Sequence, residues 1–265
     1  MSTVVPIRPQ AASARSDSEV TCAKCNLRKT CLPGGVSADD LERTERIVSA
    51  RRRLKRGERL FDAGDKFRNV YAVRGGFFKT RLVDSEGREQ VTGFFMGGEL
   101  LGLAGLASGR YQDSAIALEE SAICVMPYSL IEQVARDVPS LQRSLHAAMS
   151  REIVRGHGIM MLLGSLRAEE RLAAFLINLS RRYLRRGYSG SRFLLRMTRE
   201  EIGSYLGLQL ETVSRLFSAF HDAGLVEVRH KQVSIADLAG LERVLAPSPV
   251  AAGLTQVKRV PPVSA

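Results

Sequence analysis

Long apolar runs are missing from this 265-residue chain, and no stretch approaches the roughly 18 to 20 apolar residues that a membrane-spanning helix needs. The first stretch mixes Pro, Ser, Arg and acids without an apolar signal core, so the sequence predicts neither insertion nor secretion and reads as cytoplasmic. Cysteine is scarce: only Cys22, Cys25, Cys31 and Cys124 occur, and a chain of this size has core enough to fold without disulfides. Gly (23) and Pro (9) are too few for a collagen-like or low-complexity chain, and 45% apolar with 25% charged residues excludes wholesale disorder. No nucleophile–base pairing and no phosphate-binding loop can be found, so nothing points to an enzyme. Acids are outnumbered, 28 against 39 Lys+Arg, and the formal charge of +11 attracts polyanions such as nucleic acid or anionic lipid without choosing between them. The length fits two modest domains.

Both ends, residues 1–20 with Pro6 and Pro9 and residues 246–265 with Pro247, Pro249, Pro261 and Pro262, read as loose tails. A short helical pattern spans Ala38 to Val48, and the basic stretch Arg51, Arg52, Arg53, Lys55 and Arg56 after it reads as a solvated face. From Glu58 to Met126, short apolar runs such as Val70–Val73, Val91–Phe95 and Ile123–Met126 alternate with glycine breakers. No helix-length segment separates them, which predicts an antiparallel β roll. Pro139 then stands where a first helical turn tolerates it, opening a helix that runs to about Leu163. Leu145, Met149, Ile153, Gly156, Met160 and Leu163 recur at spacings of three and four, a narrow stripe that predicts pairing with the same helix of a second copy. Leu172, Phe175, Leu176 and Leu179 then form a stripe suited to a buried face and begin a second, mainly helical domain.

Three of the cysteines lie close together in a polar segment with Lys24, Arg28 and Lys29, which in a reducing compartment points to a metal or metal cluster. Cys124 comes at the end of a predicted strand. Four thiolates suit a tetrahedral zinc or an iron–sulfur cluster, and Cys-x2-Cys-x5-Cys with a distant fourth cysteine lacks the second knuckle usual for structural zinc, without deciding the matter. Ligands drawn from an N-terminal segment and a strand couple site assembly to local folding, an arrangement suited to a sensor; thiol oxidation is the other chemistry left open.

Thr198-Arg199-Glu200-Glu201 is a capping box opening a short helix with Ile202, Tyr205 and Leu206. Gly207 supplies a turn, and a second helix runs from about Gln209 to Asp222 with Val213, Leu216 and Phe220 facing inward. That leaves Glu211, Ser214 and Arg215 on the outer face, the pattern of a helix-turn-helix whose second helix meets base edges. Arg215 suits guanine O6/N7, Glu211 suits cytosine N4, Ser214 suits a base or phosphate, and Leu210 suits a thymine methyl. Leu225–Val228 and Val233–Ile235 around His230–Lys231 predict a β-hairpin wing. Eight arginines against three glutamates between Arg181 and Arg215 predict phosphate contacts. The reading is thus α+β: a cysteine segment and β roll over 21–136, a dimerisation helix over 137–165, and a winged helix-turn-helix over 166–245.

From about Cys22 to Ile235 the chain resembles the FNR (fumarate and nitrate reduction regulator) branch of the CRP/FNR transcription regulators. The resemblance rests on the cysteine spacing, the block Ala168–Arg182, the block Met197–Gly207, and Glu211-Thr-Val-Ser-Arg215. It implies a cyclic-nucleotide-binding-like β roll and a [4Fe-4S] cluster on Cys22, Cys25, Cys31 and Cys124. It also implies a homodimer that binds double-stranded DNA of the TTGAT-N4-ATCAA type while the cluster is intact, and lets go when oxygen degrades it. The reading residues of the family map onto Glu211, Ser214 and Arg215, with Leu210 and Thr212 beside them; the turn Asp84–Arg88 looks like a surface for RNA polymerase. The related CRP branch holds a cyclic phosphate with an Arg-Ser pair after a Gly-Glu turn. Here Gly98–Glu99 is present, but the pair is replaced by Gln112-Asp113-Ser114-Ala115, so no cyclic nucleotide is expected. The chain departs from the family in one respect: the implied dimer helix, expected to carry acidic charge, has only Glu152 between Val138 and Arg167.

Overall fold

The computed structural model describes residues 21–245, so the two tails fall outside the described residues. The chain begins with three short 3-10 turns, Cys22–Lys24, Arg28–Thr30 and Leu32–Gly35, followed by α1 (Ala38–Glu45), which Ser37 caps by accepting from the Asp40 amide at 3.2 Å. The roll comprises β1 (Ala50–Leu54), β2 (Arg59–Phe61), β3 (Asn69–Gly75), β4 (Phe77–Val83), β5 (Glu89–Met96), β6 (Leu100–Leu101), β7 (Ser114–Ala117) and β8 (Ser121–Pro127). They form two four-stranded antiparallel sheets, β1-β8-β3-β6 and β2-β7-β4-β5.

Strand alternation sorts the residues of β8 between two cores. Ile123 and Val125 point into the roll with Phe61, Phe78, Phe95 and Leu101, while Cys124 and Met126 face outward under the helices. Cys124 lies in mid-strand rather than at its end, paired with Arg51 of β1 on one side and Ala72 of β3 on the other. The basic stretch therefore forms an edge strand, and Arg51 is brought beside a thiol.

Two helices follow in immediate succession, α2 (Tyr128–Asp137) and α3 (Pro139–Ser165). Helix α2 is not among the elements the sequence predicts; with Ile131 and Ala135 as its buried pair it is too short to declare a period before Pro139 interrupts it. The C-terminal part comprises α4 (Ala168–Leu184), β9 (Arg192–Leu194), α5 (Arg199–Leu206), α6 (Leu210–Asp222), β10 (Val226–Arg229), β11 (Gln232–Ile235) and α7 (Leu238–Leu245). The wing is a three-stranded sheet, β10-β11-β9, because the short β9 adds to the expected hairpin. Leu172, Phe175, Leu176 and Leu179 of α4 are all buried, and their core extends into the roll through Phe77, Val91, Phe94, Met96 and Leu118. No helix among the described residues is long and apolar enough to cross a membrane.

Candidate nucleic-acid interface and metal centre

The helix-turn-helix is fixed by caps and a tight turn. Thr198 Oγ1 accepts from the Glu201 amide at 3.1 Å and Glu201 Oε2 accepts from the Thr198 amide at 2.7 Å, satisfying two of the free amide donors at the start of α5. Gly207 ends α5 at φ +63°, a left-handed conformation that glycine adopts without penalty. In α6, Val213, Leu216, Phe217 and Phe220 are buried, so Leu210, Glu211, Ser214 and Arg215 stand exposed on the outer side, and Thr212 is half-buried. Arg199 stacks over the Phe217 ring at 3.3 Å, and its burial lowers the guanidinium pKa to about 10.

The expectation of phosphate contacts from Arg181–Arg215 needs correction at Arg182 and Arg186, which are largely buried in ion pairs, while Arg181 and Arg196 are paired at the surface. Arg181 pairs with Glu242 at 2.9 Å, Arg196 with Glu119 at 3.0 Å, and both Arg182 and Arg186 with Glu99, at 2.5 and 2.7 Å. The local charge count saw only acids inside the stretch, whereas these partners come from distant elements. Arg185, Arg192 and Arg215 remain exposed, and Arg192 lines an open recess of about 300 Å³ on the wing with Glu227, Arg229, Gln232 and Ser234.

Each cysteine of the N-terminal segment is placed by a turn: the Cys25 amide donates to Cys22 O at 3.3 Å, the Cys31 amide to Leu27 O at 3.0 Å, and Gly34 to Cys31 O at 2.9 Å. Apolar anchors tie the turns down. Leu32 and Val36 enter the core beneath α3 with Met126, Leu141 and Leu145, and Cys31 and Cys124 both border that core. All four thiols are partly buried and close enough to influence one another electrostatically. Burial, reinforced by Cys124, pushes the Cys22 thiol up to about 11, and burial pushes Cys31 up to about 12. Burial also raises Cys124, against the opposing pull of Arg51 and Arg74. Among the described residues no three Cys, His, Asp or Glu side chains close into a metal-holding group, so the thiols gather without completing a ligand shell. In chemistry, though not in closed geometry, four partly buried sulfurs from a segment and a strand are the donor set of a soft metal centre.

The stripe on α3 divides. Leu145 is buried with Leu141 and Ala148 in the core that Leu32 and Val36 also enter, and Met149 packs against it, so Leu145 is not open to a partner. Ile153 (61% exposed), Met160 (71%) and Gly156 lie open, joined by Val154 and Met161. Periodicity marked one continuous stripe because it cannot register that the cysteine segment folds over the first half of the helix. Glu152, the lone acid, pairs with Arg155, which lies 4.0 Å above the Phe95 ring. Asp113 is bonded to Thr80 and Thr92 inside the roll, and burial raises its carboxyl pKa.

Residues 51–137 match the cyclic nucleotide-binding domain family and residues 170–244 the Crp-like helix-turn-helix domain family. The chain is 45% identical to the transcriptional regulatory protein btr of Bordetella pertussis, over 91% of this chain and 96% of that protein. It is 37% identical to the fumarate and nitrate reduction regulatory protein of Escherichia coli K12, over 86% and 93%. Among solved structures, FixK2 from Bradyrhizobium japonicum matches with a TM-score of 0.68 at 28% identity, covering 74% of this chain and 96% of that one. With its β roll, its helix-turn-helix and this degree of identity over most of its length, the chain belongs to the FNR branch of the CRP/FNR family of DNA-binding transcription regulators.

Proposed function

We propose that this regulator senses oxygen through a [4Fe-4S] cluster held by Cys22, Cys25, Cys31 and Cys124, acts as a homodimer, and binds TTGAT-N4-ATCAA-type sites. The observation that carries the reading is that four partly buried thiols, three from the 3-10 segment and one from β8, lie within electrostatic reach of one another, with Cys31 and Cys124 bordering the core that also buries Leu145 of α3. When bound, the cluster supplies an oxygen-labile link between that segment and the roll. Leu32 and Val36 hold the segment beneath the first half of α3. A segment tied at Cys124 sets how that half packs, and hence how the second half presents Ile153, Gly156 and Met160 to a second copy. A segment released from Cys124 keeps only its apolar anchors, and the pairing face loses its support.

On DNA, Arg215, Glu211, Ser214 and Leu210 read base edges from the exposed face of α6, with Thr212 beside them, and paired recognition helices address the two half-sites. The turn Asp84–Arg88, drawn together by an Arg88 Nε to Asp84 Oδ2 bond of 2.6 Å, is offered to RNA polymerase. Cyclic nucleotide has no part in this reading: Asp113 puts a carboxyl where a phosphate would need cations, and Glu99 is engaged by arginines.

Purification without oxygen followed by absorbance, iron and sulfide analysis tests the cofactor. The expected result is a coloured protein with four irons per chain. A colourless protein with one zinc, or a metal-free one that responds to thiol oxidants, contradicts it.

A further inference from the structure

The turn joining β5 to β6 lies between the cysteine segment and the DNA-binding domain. On one face, Gly97 and Gly98 meet the segment so closely that a Cβ on Gly97 would stand 2.8 Å from Leu27 Cδ1, and one on Gly98 would stand 2.2 Å from Thr30 Oγ1. Gly98 is at φ +85°, so the close approach and the backbone both require glycine. On the other face, the Gly97 carbonyl accepts from Arg186 Nε at 2.5 Å, and the Glu99 carboxylate accepts from Arg182 Nε at 3.0 Å and Arg186 Nη2 at 2.7 Å. Arg182 also donates to the Phe94 carbonyl at 2.7 Å, and Arg186 Nη1 to the Arg182 carbonyl at 2.7 Å. The turn is stiff: Gly98 donates to Val73 O at 2.7 Å, and the Met96 amide donates back to Glu99 Oε2 at 3.1 Å. The side chains of Arg182 and Arg186 are only 12% and 5% exposed, so losing either contact would leave a desolvated charge without its partner.

Beyond the turn, α4 shares one core with α6 through Leu176, Val213 and Phe217. The same face of the roll holds α5: Lys79 pairs with Glu201 at 3.0 Å, and the Val91 amide donates to Ser204 Oγ at 2.8 Å. A shift of Leu27 or Thr30 therefore reaches the recognition helix through a few stiff contacts within one protomer, without passing along α3.

We propose that Gly97, Gly98 and Glu99 form a coupling turn that transmits the state of the cysteine segment to the helix-turn-helix through Arg182 and Arg186, with Glu99 as its positioning residue. The proposal rests on the cluster reading for what changes the segment, but the contacts themselves do not depend on it. Coupling free energies between sites commonly correspond to about 5- to 150-fold in affinity, and they are reciprocal.

The test compares operator affinity for anaerobically purified and air-exposed protein, as a ratio, in wild type, Glu99→Gln and Arg186→Lys, with iron content and sedimentation recorded for each. Wild type is expected to give about tenfold or more; Glu99→Gln brings the ratio to within about twofold of one with iron and dimer content unchanged, and Arg186→Lys, whose single nitrogen cannot bond Gly97 O, Glu99 and Arg182 O together, lowers it as well. A folded, iron-loaded Glu99→Gln protein with the wild-type ratio overturns the proposal. Should Glu99→Gln fail to fold, Leu27→Ala attacks the other face of the turn and leaves the ion cluster whole: a collapsed ratio supports coupling, an unchanged one overturns it. Amide exchange on air-exposed protein with saturating TTGAT-N4-ATCAA duplex separates this proposal from the cofactor. Slowing at residues 27–31 in wild type but not in the turn variant upholds the coupling even if no iron is found, and no slowing in wild type overturns it.

Discussion

Helix α6 buries Val213, Leu216, Phe217 and Phe220 in a core shared with α4, so its outward side chains are fixed before any DNA arrives. The cysteine segment instead consists of three short 3-10 turns tied down chiefly by Leu27, Leu32 and Val36. Short 3-10 pieces have poorer hydrogen-bond geometry than α-helix, and a region with few apolar anchors opens at lower free energy than a packed core. One region presents a surface from a packed core, and the other is held by few anchors. The contrast recurs within α3, whose first half is covered by that segment while its second half displays Ile153, Val154, Met160 and Met161.

Removing Cys124 should break the contrast most completely. Cys124→Ala is expected to abolish iron retention and to weaken DNA binding as much as Cys25→Ala, measured by iron analysis and operator titration; retained iron in the Cys124 variant would assign the fourth ligand elsewhere. On α3, Leu145→Ala is expected to cost about 2–5 kcal/mol of unfolding stability as a buried core truncation. Ile153→Glu should leave stability within about 0.5 kcal/mol and shift the protein to monomer in sedimentation, because a two-fold axis brings the new charge near its own copy. Equal losses of stability in the two variants would erase the division of the helix.

Arg215→Ala is expected to lose about 1–3 kcal/mol of discrimination at one base position, seen as relaxed specificity in a panel of substituted operators with iron content unchanged. Thr198→Ala should cost about 1 kcal/mol by removing the cap of α5, read from denaturant unfolding. The smallest effect concerns acid pH. Burial alone would raise the Glu99 carboxyl, but Arg182 and Arg186 outweigh it and hold it below 4.5. Its contribution to docking the two halves is therefore complete above that value and fades as pH falls through the lowered one. Exchange at the β5–β6 turn should rise only in that acid range.

Much of the fold was legible because its signals are local. The Thr198–Glu201 box, Gly207 and the spacing of Val213, Leu216 and Phe220 define the helix-turn-helix without reference to the rest of the chain, and glycine-punctuated apolar runs define the roll. What escaped depends on partners distant in sequence. Arg182 and Arg186 looked like phosphate ligands until Glu99 was brought to them, and Leu145 looked like a dimer residue until Leu32 and Val36 folded beneath it. The short strand β9 has too few residues to show an alternation. The cysteine spacing raises the expectation of a soft-ligand site, but the outward orientation of Cys124 follows from its register between β1 and β3, which spacing does not encode.

The central claim is that the gathered thiols govern a preformed DNA reader. It is tested most directly by measuring the affinity of one anaerobic preparation for a TTGAT-N4-ATCAA duplex before and after exposure to air, with iron counted at each step. Affinity that falls in step with loss of iron, while a scrambled duplex stays weak throughout, is the predicted result. Equal affinity before and after, or an iron-free protein that binds fully from the start, would contradict the account.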